Sequence, residues 1–275
     1  MAFGWLDLEG QAWWRRLLRR SIGWPHLVRR LQSLAVLKFL DLRTGQHVAD
    51  VGAGGGYYAV EIARHVRLAV AIEIQLAPFG SLRRVPQFGV GLSAAVADAR
   101  RLPFRDHVLD RVLLSGTLQA LDAERAVAEC ARVLKPRGMV VVTVLAGHPL
   151  IRRAYSSRGM RRVLLRVFGL PRTYQQFQTE YARRHFVTRY YAPDDVVALM
   201  DGHELRLVEH QFIPSGLADA VIEMLHVLFW RVGVFRPGRF AFALWFPFLQ
   251  LLQGGSAANR QGSEWVGSFE YVGDS

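Results

Sequence analysis

A glycine-rich turn constrains the fold of this chain more than any other feature of its sequence. The stretch from residue 47 to residue 56 reads HVADVGAGGG, and residues 57–65 continue with apolar positions at helical spacing. Glycines permit a tight turn and let a ligand approach the backbone. The free N–H groups at the start of the next helix favour an electron-rich or anionic group. The stretch predicts a strand, a turn and a helix with a ligand at the turn; an unliganded turn is the alternative.

The spacing of these glycines separates two classes of ligand. A dinucleotide fingerprint requires G-x-G-x-x-G, and Tyr57 stands where its third glycine would fall. The pattern is instead Asp50-x-Gly52-x-Gly54-x-Gly56, with a carboxylate near the end of the strand. The turn therefore predicts a ligand other than a nicotinamide dinucleotide.

The charge balance is strongly basic. The 275 residues carry 35 Lys and Arg against 23 Asp and Glu, which gives a formal net charge of +12. Such a balance suits nucleic acid, an anionic membrane surface or an acidic substrate, and it does not choose among them. Length alone predicts one main domain with additions.

Cysteine usage and hydropathy bear on the compartment. Cys130 is the only cysteine, so no internal disulfide can form, and a reducing, cytoplasmic compartment is expected. Its apolar helical surroundings predict a buried, inert thiol. The first ten residues lack the layout of a signal peptide, and no uninterrupted apolar run reaches the length of a membrane span.

Short apolar strands alternate with helical segments through the first half of the chain. The predicted strands occupy residues 47–51, 68–73, 94–98, 108–115 and 139–144, with a sixth at 205–213 and a last, antiparallel edge strand at 264–272. Predicted helices include residues 27–40 and 122–134. This alternation predicts an α/β fold with a Rossmann-like, doubly wound and mostly parallel sheet, whose ligands bind at the carboxyl ends of the strands.

Five segments in this order carry a family resemblance. They read VADVGAGGG, AIEI, VADARRLPF, HVLDRVLLSG and ECARVLKPRGMVVVTV, and together they cover about residues 45–145. This part of the chain resembles the class I S-adenosylmethionine-dependent methyltransferases. Within that class it looks most like methyltransferase type 11, the branch of the ubiquinone and menaquinone biosynthesis enzymes.

The resemblance implies S-adenosyl-L-methionine as the cofactor and assigns it a set of residues. These are Asp50, Gly52, Ala53, Gly54, Gly56, Glu73, Asp98, Ala99, Ser115 and Gly116. The glycine turn would lie against the methionine part, Glu73 would hold the ribose hydroxyls, and Asp98 would accept from the adenine amino group. The Ala99 backbone would meet the ring edge, with Ser115 and Gly116 beside the methyl group. No metal is predicted.

Two departures from the family pattern concern the surroundings of the cofactor. The crossover at residues 75–93 is short, and Leu118-Gln119 stands where a histidine-rich step often follows the fourth strand. The catalytic residues therefore stay unknown. Candidates for a base are Thr117, Gln119, His148, Tyr155, Tyr174, His185, Tyr190 and Tyr191.

Basic and apolar additions flank the predicted sheet. Residues 11–22 place tryptophans and arginines on opposite faces of a helix, which is typical of an interfacial helix but also of one packed on its own domain. Residues 151–190 carry ten arginines and one acid, and apolar segments follow at 217–234 and 239–252. The predicted domains are an N-terminal pair of helices at 1–40, a cofactor-binding core at 41–150, and a basic substrate cover with the last strands and an apolar helical pair at 151–275.

The sequence thus predicts a methyltransferase that acts on a small, hydrophobic or lipid-linked acceptor by in-line displacement. The alternatives are an RNA methyltransferase and a non-catalytic cofactor-binding protein of the same fold. Partners would be that acceptor and an anionic membrane surface at the inner face of the membrane, with no nucleic acid as the main partner. The acceptor atom and the oligomeric state are not predicted.

Overall fold

The structure, a computed structural model, describes residues 25–75, 82, 89–185, 189–228, 251 and 262–273. Several predicted segments lie outside these residues: the helix at 11–22, most of the crossover at 75–93, and the second apolar segment apart from Leu251. Within the described part, no helix is both long and apolar enough to cross a membrane.

In the part of the chain that the structure describes, seven strands form one sheet. They are β1 (His47–Val51), β2 (Leu68–Glu73), β3 (Leu92–Val96), β4 (Leu109–Ser115), β5 (Leu134–Leu145), β6 (Leu205–Ser215) and β7 (Gly262–Tyr271), in the order β3-β2-β1-β4-β5-β7-β6. The first five strands run parallel. The predicted α/β fold with a doubly wound, mostly parallel sheet is confirmed.

The strand order reverses between β1 and β4. From β1 the chain builds outward through β2 and β3, and it then returns to add β4 on the other side of β1. Ala49 pairs with Val70 of β2 on one side and with Val112 of β4 on the other. The crevice at such a switch point is where open α/β sheets bind ligands. The glycine turn follows β1 at this place.

The prediction of a last edge strand is half right. β7 runs antiparallel to β5, with Val141 opposite Ser268. It is not an edge strand, because β6 pairs along its other side. Trp265, Val266, Ser268 and Phe269 are all buried, as befits an interior strand.

The observed boundaries of two other strands also differ from the predicted ones. β3 begins and ends two residues before the predicted 94–98, which leaves Asp98 beyond the strand. β5 begins at Leu134, directly after the helix, and its register with β4 shifts between Leu109 and Arg111. The apolar run that predicted the strand covers only its second half.

Eight α-helices accompany the sheet in the described residues. They are α1 (Pro25–Leu40), α2 (Tyr57–Ile62), α3 (Ala123–Val133), α4 (Pro149–Ser156), α5 (Arg158–Arg166), α6 (Tyr174–His185), α7 (Pro193–Asp201) and α8 (Gly216–Leu228). A short 3-10 helix, Leu118–Ala120, follows β4. α3 buries Cys130 completely, and burial raises the pKa of its thiol to about 12, which confirms the prediction of a buried thiol.

The chain divides into two compact units. The sheet unit consists of Ser33–Ala146, Ala182–Gln211 and Glu264–Ser275, and the helical unit consists of Met1–Gln32, Gly147–Tyr181 and Phe212–Ser263, each considered over its described residues. All ten residues assigned to the cofactor lie in the sheet unit.

Candidate cofactor site

The positions of the turn require glycine for different physical reasons. Gly52, Gly54 and Gly56 all have positive φ, at 76°, 53° and 79°. A Cβ on Gly52 would overlap the side chain of Thr117, and one on Gly56 would overlap that of Leu82. A Cβ on Gly54 would meet no atom of the described residues within 4 Å. Two of these glycines therefore serve packing, and Gly54 leaves open space beside the turn.

The turn is anchored to the end of β2. Gly52 and Ala53 each donate a backbone hydrogen bond to the Ile72 carbonyl, at 2.8 and 2.9 Å. Glu73, the last residue of β2, accepts from the Gly54 N–H through Oε2 at 2.9 Å and from the Ile74 N–H through Oε1 at 2.8 Å. The tertiary structure thus brings together the glycine turn and the carboxylate that the sequence assigned to ribose.

Asp50 has a structural role that the sequence did not reveal. The residue is buried, and its Oδ2 accepts from the Ala59 N–H in the first turn of α2 at 3.0 Å. The cap of that helix is Gly56, which has no side chain to satisfy the first N–H groups. Asp50 supplies that acceptor from the end of β1, so it holds α2 against the turn. Its direct contact with the cofactor stays a prediction.

Asp98 lies just beyond β3 and is already engaged. Its Oδ1 accepts from the Arg100 backbone N–H at 2.9 Å, and its Oδ2 accepts from the Arg100 guanidinium at 2.6 Å. These bonds from Arg100 lower the pKa of Asp98 to about 2. The carboxylate is half-buried, and its remaining lone pairs are what an adenine amino group would have to use. Ala99 is buried beside it.

The end of β4 is tied to its two neighbouring strands. Gly116, with φ +69°, donates to the Thr143 carbonyl at 3.0 Å, and Ser115 Oγ lies 3.3 Å from Thr143 Oγ1. Thr117 Oγ1 donates to the Val51 carbonyl at 2.7 Å. Thr143 and Thr117 therefore hold the ends of β1, β4 and β5 together around the predicted methyl position. Sequence reasoning missed Thr143, because a threonine in an apolar strand gives no signal of its own.

A side-chain clamp on α3 fixes the loop that follows Asp98. Glu129 Oε2 accepts from the Leu102 N–H at 2.7 Å, and Arg132 donates to the Phe104 carbonyl at 3.0 Å. Arg132 also pairs with Glu129 at 2.7 Å and with Asp106 at 2.6 Å, and its hydrogen bond lowers the pKa of Glu129. Sequence reasoning missed this clamp; the i, i+3 spacing of Glu129 and Arg132 on a predicted helix was the available signal.

Replacing Arg132 by alanine is expected to destabilise the protein by roughly 1–3 kcal/mol, because charged hydrogen bonds to the loop are lost. Affinity for S-adenosylhomocysteine should fall with it, since the loop begins at Asp98 and Ala99. Thermal unfolding and calorimetry measure the two effects. Arg125→Ala on the same helix removes only an exposed ion pair with Asp122 at 3.4 Å and should change little. If Arg132→Ala and Arg125→Ala lowered stability and affinity equally, the role assigned to the clamp would be contradicted.

The candidate bases in the sheet unit are held by backbone groups. Gln119 Nε2 donates to the Arg189 carbonyl at 2.8 Å, and the Tyr191 hydroxyl donates to the Leu118 carbonyl at 3.3 Å. Asp110, which the sequence assigned to structure, accepts from the His47 N–H and from Lys135 Nζ, both at 2.8 Å.

The candidate bases in the helical unit are also packed against, or hydrogen-bonded to, other parts of that unit. His148 is buried, with its ring centroid 4.4 Å from that of Tyr181. The Tyr155 hydroxyl donates to the Pro171 carbonyl at 2.7 Å, and burial raises its pKa to about 12, so it stays protonated at neutral pH. Tyr174 bonds to the backbone of His148. His185 belongs instead to the sheet unit, and its side chain lies outside the described residues.

Comparison with known proteins identifies the core of the sheet unit. Residues 49–142 match the methyltransferase domain family known as methyltransferase type 11. Curated relatives called demethylmenaquinone methyltransferase are 29% identical over 177 residues in Mycolicibacterium paratuberculosis and 32% identical over 153 residues in Corynebacterium urealyticum. These alignments cover 62% and 53% of this chain, and 66% and 64% of the relatives. The chain therefore spans just under two thirds of the length of the relatives it matches.

Solved structures agree in fold. A geranyl diphosphate C-methyltransferase from Streptomyces coelicolor has a TM-score of 0.57 at 12% identity, over 88% of this chain and 77% of that one. An S-adenosylmethionine-dependent methyltransferase from Mesorhizobium loti has a TM-score of 0.57 at 16% identity, over 87% and 97%. The resemblance to class I methyltransferases seen in the sequence is confirmed.

Proposed function

We propose that this chain, whose residues 49–142 form a methyltransferase domain of the S-adenosylmethionine-dependent class I type, methylates a small apolar acceptor of the quinone type. The observation that carries the proposal is the pairing of Gly54 with Glu73 at the switch point of the sheet. Open space beside the turn and a strand-end carboxylate are what a nucleoside with a sulfonium side arm requires.

The residues present fit S-adenosyl-L-methionine. Gly54 leaves room for close approach to the backbone, and Glu73 carries lone pairs for ribose hydroxyls beyond its two backbone bonds. Asp98 and Ala99 lie at the end of the neighbouring strand, where an adenine would be received. We assign cofactor binding to these residues, to the rest of the turn, and to Ser115 and Gly116.

The contribution of the protein to methyl transfer is mainly positional. When bound, the cofactor supplies an electrophilic methyl group on a sulfonium. The residues at the ends of β1 and β4 would hold the donor in line with the acceptor and exclude water. The hydrogen bonds of Thr117 and Thr143 fix these strand ends, which keeps the line of displacement rigid.

We propose that transfer proceeds without a dedicated base from the end of β4. The Thr117 hydroxyl and the Gln119 amide both donate to backbone carbonyls, so neither is arranged to take a proton. An acceptor atom that is acidic or carbon-centred and activated by its own ring needs little help. The names of the relatives support such an acceptor, since demethylmenaquinone is a quinone.

The test is turnover with a defined acceptor. Purified protein with S-adenosylmethionine and a reduced demethylated naphthoquinone is expected to release S-adenosylhomocysteine and a product heavier by one methylene, both detected by mass spectrometry. Glu73→Ala should abolish most of this turnover at low cofactor concentration. Binding of cofactor without turnover of any extracted lipid or small molecule would favour the non-catalytic alternative instead.

We also propose contact with the anionic inner face of a membrane, where an apolar acceptor would dissolve. The support is the run of arginines on α4 and α5 among apolar side chains. Co-sedimentation with anionic but not neutral vesicles is the expected result. The RNA alternative rests on the same arginine-rich segment at 151–190, and tight, salt-resistant binding to one RNA would be needed to support it.

A further inference from the structure

A cavity lies in the helical unit, and its lining includes none of the residues assigned to the cofactor. Its volume is about 300 Å³, at the lower end of the range for small-molecule pockets. It is lined by Leu150, Ile151, Ala154, Met160, Val163, Leu164, Phe168, Ala220, Glu223, Met224 and Val227. These residues come from α4, from α5 and the turn after it, and from α8, so the cavity lies among three helices.

Each helix presents one apolar face to the cavity. The lining residues of α8 recur at 220, 223, 224 and 227, which is the spacing of a single helical stripe. Those of α5 recur at 160, 163 and 164. The cavity is therefore shaped by the amphipathic pattern of the helices, and a cavity with such walls favours an apolar occupant over water.

Glu223 is the one ionisable residue among the described residues of the lining, and its polar atoms are turned into the protein. Its Oε1 accepts from the Leu150 N–H at 3.1 Å, and its Oε2 accepts from the Ile151 N–H at 2.6 Å. The carboxyl group of Glu223 also hydrogen-bonds to the carboxyl group of Asp219. Asp219 in turn accepts from the Ser263 N–H at 3.1 Å. The part of Glu223 left for the cavity is its methylene stem, which keeps that wall apolar.

The mouth of the cavity exposes apolar side chains to solvent. Leu150, Met160, Val163 and Met224 line the cavity and are 43%, 50%, 41% and 54% exposed. A cluster of this kind on a folded domain marks a place where an apolar group binds.

The charge around the cavity selects the type of ligand. Residues 149–173, which contain α4 and α5, carry seven arginines and no aspartate or glutamate. Arg153 and Arg161 are next in sequence to the lining residues Ala154 and Met160, about 100° further around their helices, and both are exposed. Long arginine side chains reach along apolar surface and place their charge at its rim. A ligand with an apolar chain and an anionic end matches both properties.

We infer that this cavity binds the hydrocarbon chain of an anionic single-chain amphiphile, with the arginines of α4 and α5 receiving its headgroup. The inference does not rest on the proposed methyl transfer, because the cavity and the cofactor residues belong to different compact units. A fatty-acid carboxylate is the simplest ligand of this chemistry.

The experiment is calorimetric titration of the full chain with laurate, below the concentration at which laurate forms micelles. Dodecyltrimethylammonium has the same chain with a cationic end, and butyrate has the same headgroup with a short chain. Laurate is expected to bind at least about tenfold more tightly than either, since only laurate satisfies both the cavity and the arginines. Equal binding of the cationic amphiphile would overturn the inference.

Variants locate the site. Ala154→Trp fills the cavity and should weaken laurate binding by about tenfold or more, whereas Ser156→Trp, on the same helix but outside the lining, should not. Ala220→Leu tests the opposite wall with a smaller change. Arg153→Gln combined with Arg161→Gln should weaken laurate but not a neutral dodecyl glycoside. Each variant must keep a cooperative thermal unfolding transition and the far-UV circular dichroism spectrum of the wild type, which show that it is folded.

Two outcomes would assign the cavity differently. Laurate binding that Ala154→Trp and Ala220→Leu both leave unchanged would place the amphiphile elsewhere and overturn the inference. Displacement of laurate by a neutral prenylated quinone that binds more tightly would assign the cavity to the tail of the acceptor. That result would overturn the inference that the ligand is anionic.

Discussion

Replacing Gly54 by valine is expected to lower affinity for S-adenosylhomocysteine by about a hundredfold or more, because the branched side chain of valine would occupy the space through which the ligand approaches the backbone. Among the described residues, no atom lies within 4 Å of a Cβ added at Gly54, so the loss should fall on the ligand and not on internal packing. Calorimetry of the purified variant measures it.

The control must separate lost space from backbone strain. Gly45 precedes β1 at φ +97°, and a Cβ there also meets nothing within 4 Å. Gly45→Val should therefore carry a similar strain of roughly 1–2 kcal/mol and leave the affinity unchanged. If Gly54→Val binds the ligand within threefold of wild type, the turn is not the cofactor site.

The other glycines of the turn should respond differently. A side chain at Gly56 would collide with Leu82, and one at Gly52 with Thr117, so these substitutions should lower thermal stability as well as binding. The contrast between Gly54 and its neighbours is a direct consequence of which side of the turn faces protein.

The Asp219–Glu223 pair is expected to make the protein less stable as pH rises from about 4.5 to about 8. Burial and the neighbouring carboxyl group raise the pKa of Glu223 to about 8, and burial raises that of Asp219 to about 6. The folded state therefore binds more protons than the unfolded chain across this window. The stabilisation is fully present below the ordinary carboxyl pKa and is lost as pH rises through the folded values.

The groups facing this pair modify the effect without reversing it. The N–H groups of Leu150 and Ile151 favour the ionised form of Glu223, as the Ser263 bonds do for Asp219, yet desolvation outweighs them. Asp98 and Glu129, whose pKa values are lowered, act with the opposite sign and at lower pH.

Glu223→Gln isolates the contribution of the pair. Glutamine keeps an acceptor for a backbone N–H and a donor toward Asp219, and it does not ionise. The variant should unfold with a flatter pH profile, and near pH 9 it should be more stable than wild type by about 2 kcal/mol. Chemical denaturation at several pH values measures this. Glu209→Gln, which changes an exposed partner of Lys38, is the control and should leave the profile unchanged. A wild-type stability that increases steadily from pH 6 to pH 9 would contradict the raised pKa values.

The sequence by itself determined the class of fold and the location of the glycine turn after β1. Both depend on local patterns: apolar runs of strand length, helical periodicity, and glycines at two-residue spacing after a strand. These patterns are local because a strand buried on both faces must be apolar throughout, and a tight turn must avoid side chains. They predicted β1, β2 and β4 nearly to the residue, and they placed Glu73 at a strand end.

Only the tertiary structure decided what each side chain of the site does. The pairing of Glu73 with Gly54, the cap that Asp50 gives to α2, and the hold of Arg100 on Asp98 depend on three-dimensional positions that spacing does not specify. The interior position of β7 depends on β6 taking the edge, which the alternation of β7 cannot reveal. The cavity with Glu223 forms only where α4, α5 and α8 meet, and the hydrogen bond between Ile151 and Glu223 joins residues 72 positions apart in the chain. The amphipathic pattern of each helix predicts that its apolar face is covered, but it does not predict which element covers it.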